Sequence, residues 1–298
     1  MWPADKRAAV AFTFDFDAEE VWIGMDEANA TRPGVLSQGA YGAKVGLPLV
    51  LELLARHELT ATFFVPGRVA ERYPERVAEI LAAGHEIGLH GYTHRGPGRL
   101  AGVTEEVSEL DRSLAVLRAL GANPVGFRSP SWDFGEQTLA LLAERGIVYS
   151  SNMMDDIRPY VHQPSGIVEL PVQWILDDAP HFMFDNASWE KTIRSPREVG
   201  EIWEAELRGI HALGGLGVLT THPQFIGRPG RLPLLERTIE LVLALEGVWV
   251  ATAGEIARHV RARAEAGPAP TAQAEAEPAP TAQAEAEPAP GKSAGAEP

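Results

Sequence analysis

The chain of 298 residues contains no cysteine. Disulfide scaffolds, thiolate zinc sites, iron–sulfur clusters and cysteine nucleophiles are therefore excluded, and any metal must be held by nitrogen and oxygen donors. Positive charge is scarce: 26 Lys and Arg stand against 41 Asp and Glu, a formal net charge of −15. That balance speaks against non-specific nucleic-acid binding and against adsorption to anionic membranes, since both use basic surfaces. Long apolar runs are also missing. Nothing approaches the roughly 20 apolar residues of a membrane span. The run Ala8 to Phe14, behind Lys6 and Arg7, ends at Asp15 without a small-residue cleavage site, so it reads as a buried strand and not as a signal peptide. The expected location is the cytoplasm, with no nucleic-acid or membrane partner.

A hydrophobic content of 45% is enough for a substantial core. Apolar residues are not spread evenly. From Ala264 onward there is no Leu, Ile, Val or aromatic residue, and TAQAEAEPAP occurs at 271–280 and again at 281–290. Six glutamates against Lys292 leave that stretch at −5, a third of the total charge. Such a segment cannot bury enough surface to offset its ordering entropy, so 264–298 is expected to be a disordered Ala/Pro/Glu-rich repeat tail and 1–263 the folded domain.

Within the folded part, short apolar runs alternate with longer amphipathic ones. Strands are expected at Ala8 to Phe14, Leu59 to Val65, Glu86 to His90, Pro124 to Arg128, Ile147 to Ser150, Ile167 to Leu170, Gly217 to Thr221 and Val248 to Thr252. Helices are expected at Ala43 to His57, Val69 to Ala83, Thr104 to Leu120, Glu136 to Arg145, Pro196 to Leu213 and Leu234 to Glu246, with Gly84, Gly121, Gly146 and Gly214 as left-handed caps. This alternation predicts an α/β architecture with a parallel sheet, and its seven or eight strands suit a barrel. Two stretches lack the rhythm, Ala18 to Gly42 and Asp155 to Ser195, and both follow strand ends. Loops at the carboxyl ends of barrel strands build active sites, so these two are the expected pocket walls.

Four constellations carry chemistry. Asp15 and Asp17 end the first strand two residues apart, so their carboxylates share one side. One could bind a metal and the other act as a base, or both could simply be solvated strand-end acids. His90 and His94 stand four apart around Gly91, a spacing that lets two imidazoles meet one ion and that also arises by chance. Together with Asp17 they make the N,N,O set of a catalytic Zn²⁺ or Co²⁺. Arg128 ends another strand in Phe127-Arg128-Ser129-Pro130-Ser131-Trp132-Asp133 and could orient Asp15 or make an ordinary loop ion pair. His222 closes a late strand, placed equally well to be a proton donor or a hydrogen-bonded core histidine. Of the seven tryptophans, Trp22, Trp132 and Trp174 fall on the expected pocket loops and could stack on a sugar face or a flat imide ring; Trp2, Trp189, Trp203 and Trp249 are taken as core or surface.

The series Thr13-Phe14-Asp15-Phe16-Asp17, Thr62-Phe63-Phe64-Val65, the His90 and His94 pair, Arg128-Ser129-Pro130 and Leu219-Thr220-Thr221-His222 resembles the polysaccharide deacetylase (NodB-homology, carbohydrate esterase 4-like) family over about residues 8 to 260. The resemblance implies a distorted (β/α) TIM-like barrel and hydrolysis of non-peptide carbon–nitrogen bonds with a divalent metal, Zn²⁺ first and Co²⁺ or Mn²⁺ as alternatives. By position it makes Asp15 the base, Asp17, His90 and His94 the metal ligands, Arg128 the tether of the base and His222 the general acid. A backbone N–H near Ser131 would help the metal hold the oxyanion. The stretch Glu169 to Phe182 and the insertion after Asp17 are similar to the cytoplasmic branch, with cyclic imide hydrolases, allantoinase-like enzymes and atypical peptidoglycan deacetylases. That branch implies a homo-oligomer. Many relatives carry an aspartate where this chain has Ser150, which puts the support from that acid in question.

The favoured expectation is a hydrolase of a small cytosolic cyclic imide or ureide, with Trp22, Ser131, Trp132, Trp174 and Asp177 facing the substrate. The alternative is an N-deacetylase of N-acetylglucosamine in peptidoglycan or chitin-type oligosaccharides. A remote third is an inactive carbohydrate-binding protein on the same scaffold, which the complete set of Asp15, Asp17, His90, His94 and His222 argues against.

Overall fold

A computed structural model describes residues 1–184 and 193–266. Its strands are β1 (Ala8–Asp15), β2 (Thr62–Val65), β3 (Glu86–Leu89), β4 (Gly126–Phe127), β5 (Tyr149–Ser150), β6 (Tyr160–Val161), β7 (Val168–Glu169), β8 (Leu216–Thr221) and β9 (Val248–Val250). Helices α1 (Glu20–Met25), α2 (Pro33–Tyr41) and α3 (Leu47–Arg56) follow β1. Helices α4 (Gly67–Arg72) and α5 (Pro74–Ala82) follow β2, α6 (Val103–Ala119) follows β3, and α7 (Thr138–Glu144) follows β4. The remainder are α8 (Ala179–Phe182), α9 (Pro196–Leu213), α10 (Pro223–Ile226), α11 (Leu232–Leu243) and α12 (Ala253–Ala266).

One sheet takes all nine strands in the order β6-β7-β5-β4-β3-β2-β1-β8, with β9 also on β1. Every pairing is parallel except β6 with β7. β6 and β8 end the path, so the barrel is curled but incomplete. The segment after β7 fills the break: Asp177 bridges to Thr220 of β8, and the Asp178 N–H donates to the Thr220 carbonyl at 3.1 Å.

β1 explains how the site is raised. It is buried along its whole length, as a strand covered on both faces must be. Its alternate residues part company. Val10, Phe12, Phe14 and Phe16 join the large cluster under the helices, whereas Ala9 and Ala11 join a second cluster with Phe64, Tyr149, Val168, Val218 and the α12 residues Ala253, Ile256, Ala257 and Val260. The period of two carries that second face on through Thr13, Asp15 and Asp17. Small residues and α12 thus fill the lower interior, and polar groups begin where β1 ends.

All eight expected strands form; β1 and β8 each gain one residue, to Asp15 and from Leu216, and the other six are shortened. The antiparallel β6 was not expected, because two residues carry no period. The four glycine caps all have positive φ, from 71° to 89°. The helix expected over Val69 to Ala83 is two, since Pro74 has no N–H to continue it and Tyr73 leaves the helical region at φ −130°, ψ 55°. The stretch Ala18 to Gly42, expected to be irregular, is largely helical. Its glycines look like breakers, but Gly39 lies where a Cβ would run into the Ala18 carbonyl, so close packing and not a turn selects it. Helix α12 went unanticipated and runs to Ala266, three residues past the expected boundary at 263. The rest of the tail, and Trp189, lie outside the described residues. Trp2 and Trp203 are core, and Trp249 packs edge-on against Trp2. No described helix is long and apolar enough to cross a membrane.

Strand β4 makes the packing testable. A Cβ at Gly126 would overlap the ring of Tyr149, which is fully buried and donates its hydroxyl to Glu86 at 3.0 Å. Gly126→Ala is expected to destabilise by about 1–3 kcal/mol in urea denaturation. In α9, Gly209 has nothing near its missing Cβ, and Gly209→Ala is expected to stabilise by about 0.5–1 kcal/mol.

Candidate active site

The parallel sheet delivers its functional side chains to one end, the carboxyl ends of the strands. Asp15 and Asp17 arrive from β1, His90 and His94 from the turn after β3, Arg128 from β4 and His222 from β8. His90 Nε2 lies 3.4 Å from Asp17 Oδ1, His94 Nε2 lies 3.5 Å from Asp17 Oδ2, and His222 Nε2 is 3.6 Å from the same Oδ2. All six predicted residues are therefore within one cluster.

Arg128 is completely buried. It donates to Asp15 Oδ1 at 2.7 Å, to Thr13 Oγ1 at 2.8 Å and to Ser151 Oγ at 3.0 Å, with its guanidinium 4.2 Å above the Phe64 ring. Ser150 accepts from Asn152 Nδ2 at 2.9 Å, and Asn152 Oδ1 accepts the Ser129 N–H at 2.7 Å. The surroundings of Arg128 on this side are thus hydroxyl and amide, and Asp15 is its one carboxylate partner among the described residues.

Asp17, His90 and His94 fit a cation. Their ligand atoms lie within 4.8 Å of one another, and Asp17 Oδ1 is buried with no hydrogen-bond partner. His90 Nδ1 donates to the Arg128 carbonyl at 2.8 Å, which leaves Nε2 with its lone pair toward Asp17. Burial holds His90 down to about 4 against the opposing charge of Asp15. Burial and the neighbouring His90 and His222 hold His94 well below the usual imidazole range. Both are neutral, the form that ligates. Burial pushes Asp17 up to about 8, with His222 pulling it down and Asp15 and Asp177 pushing it up. A buried carboxyl so reluctant to ionise alone is one that a cation would stabilise.

Asp15 differs. Burial alone would raise it, but Arg128, His90 and His222 together hold it below the ordinary carboxylate range. His222 is shifted the other way. Burial lowers it, yet Asp178, Asp177 and Asp17 more than compensate and hold the imidazole well above its usual value. The main contact is Asp178, whose Oδ1 accepts from His222 Nδ1 at 2.6 Å while its Oδ2 accepts the His222 N–H at 3.1 Å. Sequence reasoning had singled out Asp177, which lines the pocket 3.8 Å from His222 Nδ1, and had passed over Asp178. Both acids approach His222 Nδ1, and residue order alone does not tell which one makes the hydrogen bond.

Above these groups is a cavity of about 570 Å³. Val21, Gly24 and Met25 wall one side, Trp132, Trp174 and Met183 another, with Ser131 and Asp177 also on the lining. The rings of Trp132 and Trp174 meet at a tilt of 37° with centroids 4.2 Å apart, and Trp174 is 45% exposed at the rim. Ser131 and Trp132 both have left-handed backbone, with φ of 57° and 52°, a strain typical of functional turns. Trp22 does not reach this cavity. It is buried against Phe225 of α10, because its side chain leaves α1 on a different face from Val21 and Met25, which lie one turn apart on the cavity wall.

Comparison with known proteins places this site in a family. Residues 39–150 match the polysaccharide deacetylase family model. A peptidoglycan deacetylase of Helicobacter pylori is 31% identical, across 85% of this chain and 96% of that protein. The chain belongs to the polysaccharide deacetylase family. Members of this deacetylase family are carbon–nitrogen hydrolases, and the family's barrel is the one observed. A crystal structure from Mycobacterium smegmatis, of a protein assigned to the polysaccharide deacetylases, superposes with a TM-score of 0.85 at 44% identity, covering 88% of this chain and 93% of that one. The Puue allantoinase structure shares the fold, with a TM-score of 0.76 at 24% identity over 88% and 92% of the two chains.

Neutralising Asp178 removes the charge that favours imidazolium, so the pKa of His222 must fall. Asp178→Asn is expected to lower it, read from the His222 ring resonances in an NMR pH titration. An unmoved titration would contradict the assignment of Asp178 as its partner.

Proposed function

We propose that this protein is a metal-dependent hydrolase of a small cyclic imide or ureide. Asp17, His90 and His94 would hold the cation, Zn²⁺ being favoured by the N,N,O donor set and Co²⁺ or Mn²⁺ being compatible with it. When bound, such an ion supplies Lewis-acid polarisation of a carbonyl and a lowered pKa for water. The chain supplies the proton transfers. Asp15, kept ionised by Arg128, accepts a proton from the attacking water. His222, kept protonated by Asp178, gives one to the departing nitrogen. Ser131 is on the pocket wall, and a backbone N–H near it would serve as an oxyanion donor.

The observation that carries the substrate class is the enclosure. A cavity of about 570 Å³ between α1 and the Trp132–Trp174 pair is of the size that surrounds a small molecule. The paired indoles offer aromatic surface to a planar ring, and Asp177 offers a carboxyl to a ring N–H. A second reading, N-deacetylation of N-acetylglucosamine in peptidoglycan or its fragments, draws support from the Helicobacter pylori relative. For that reading Trp174, exposed at the rim, would stack on a sugar face.

Purified protein assayed on succinimide-type rings beside N-acetylglucosamine oligomers is expected to open the rings faster; turnover of the sugars alone would replace the first reading with the second. Chelation is expected to abolish activity and Zn²⁺, Co²⁺ or Mn²⁺ to restore it. Since metal catalysis is worth several kcal/mol, His90→Ala is expected to lower kcat by at least about a hundredfold. Full activity after both treatments would exclude the metal mechanism.

A further inference from the structure

His94 sits in a turn that does not hold its shape by itself. Gly91 and His94 both have left-handed backbone, with φ of 68° and 53°, so the chain reverses twice within four residues. The polar groups of the turn are satisfied from outside. From one side, the N–H groups of Gly67 and Arg68 at the start of α4 donate to the carbonyls of Gly91 and Tyr92, each at 3.0 Å. From the other, a single side chain of α6 takes the donors. Glu109 Oε2 accepts the N–H groups of Tyr92 at 2.8 Å and Thr93 at 2.7 Å, and Glu109 Oε1 accepts the Thr93 hydroxyl at 2.9 Å. Glu109 is buried, so water cannot replace it. Arg95, next after His94, lies 3.8 Å from Glu109 Oε1 and donates to Thr93 Oγ1 at 3.0 Å, closing the clamp.

We propose that Glu109 is a positioning residue that sets the affinity of the site for its metal through His94. The inference rests on reading His94 as a ligand. Carboxylate hydrogen bonds to two successive N–H groups are strong and directional, and they fix the peptide planes that aim the imidazole. Without them the turn is free to relax toward unstrained backbone, and Nε2 leaves its place 3.5 Å from Asp17. His90, held instead by the Arg128 carbonyl, would remain. Supporting groups of this kind typically contribute 10- to 100-fold to metal affinity.

Apoprotein prepared by chelation is titrated with Co²⁺ and followed by its visible d–d absorption, with circular dichroism as the check on folding. Glu109→Ala is expected to bind Co²⁺ roughly 10- to 100-fold more weakly than wild type, with an altered band shape. Glu109→Gln is expected to lie between, because its amide oxygen still accepts from Tyr92 and Thr93. A folded Glu109→Ala protein with wild-type Co²⁺ affinity and spectrum would overturn the proposal. Should that variant not fold, Glu109→Gln decides it by the same measurement. A wild-type protein that binds no Co²⁺ would overturn the ligand reading itself, a different result from wild-type binding that the substitutions leave unchanged.

Discussion

The ion pair of Arg128 with Asp15 is the constraint around which the site is arranged. Removing a guanidinium wholly from water is costly, and the cost is offset only where geometry and hydrogen bonds are good. Here the cation has one carboxylate at 2.7 Å, two hydroxyls and an aromatic face. The two hydroxyls come from β1 and from the residue after β5, so strands far apart in sequence must be in register for Arg128 Nη1 and Nη2 to be paired. The Arg128 carbonyl also orients His90. One buried residue thus fixes the charge of the presumed base and the tautomer of a presumed ligand.

From that pair the electrostatics divide the two acids of β1. Asp15 and Asp17 share a strand face and lie in the same low-dielectric pocket, yet their tendencies to ionise are opposite. Asp15 has a permanent cation beside it. Asp17 has imidazoles, two of them neutral, one long hydrogen bond from Gln224 Nε2 at 3.4 Å and an oxygen without a partner. The first can take a proton from water and the second is left wanting a positive charge. A corresponding division separates the histidines, since His222 has Asp178 behind it whereas burial dominates at His90 and His94. Roles within the site follow from what stands behind each group more than from the group itself.

This explains what was legible in the sequence. Strand ends were readable because apolar runs stop at Asp15, His90, Arg128 and His222, and parallel strands gather such ends in one place. Eight strands and the six clustered residues followed from that rule and from the resemblance. The residues that stand behind them were not readable. Glu109 lies within a helix whose pattern explains it equally well as a surface acid. Asp178 and Asp177 are adjacent acids that both approach His222, and nothing in their order tells which one bonds it. The helices at α1 and α2 were hidden because glycines chosen for close packing look like breaks, and that error also put Trp22 in the wrong wall.

The incomplete barrel gives the last of these a structural cause. Among the described residues between β7 and β8 no further strand closes the ring; an irregular segment takes its place and touches β8 through Asp177 and Asp178. A regular strand there would present alternate residues to the interior and could place only one of two neighbouring acids near His222. The irregular chain lets both approach, Asp178 to orient the imidazole and Asp177 to face the cavity. Trp174 stands on the same segment, its ring tilted against that of Trp132. The segment that completes the barrel therefore also sets the charge of His222, the proposed proton donor, and shapes the mouth, so a change in its sequence is expected to alter substrate fit and proton transfer together. The candidate metal cluster, built on β1 and the turn after β3, takes none of its proposed ligands from this segment and feels it only through the charges of Asp177 and His222. Conversion between substrates on this scaffold is thus most accessible through residues 171–183, with Asp17, His90 and His94 left as they are.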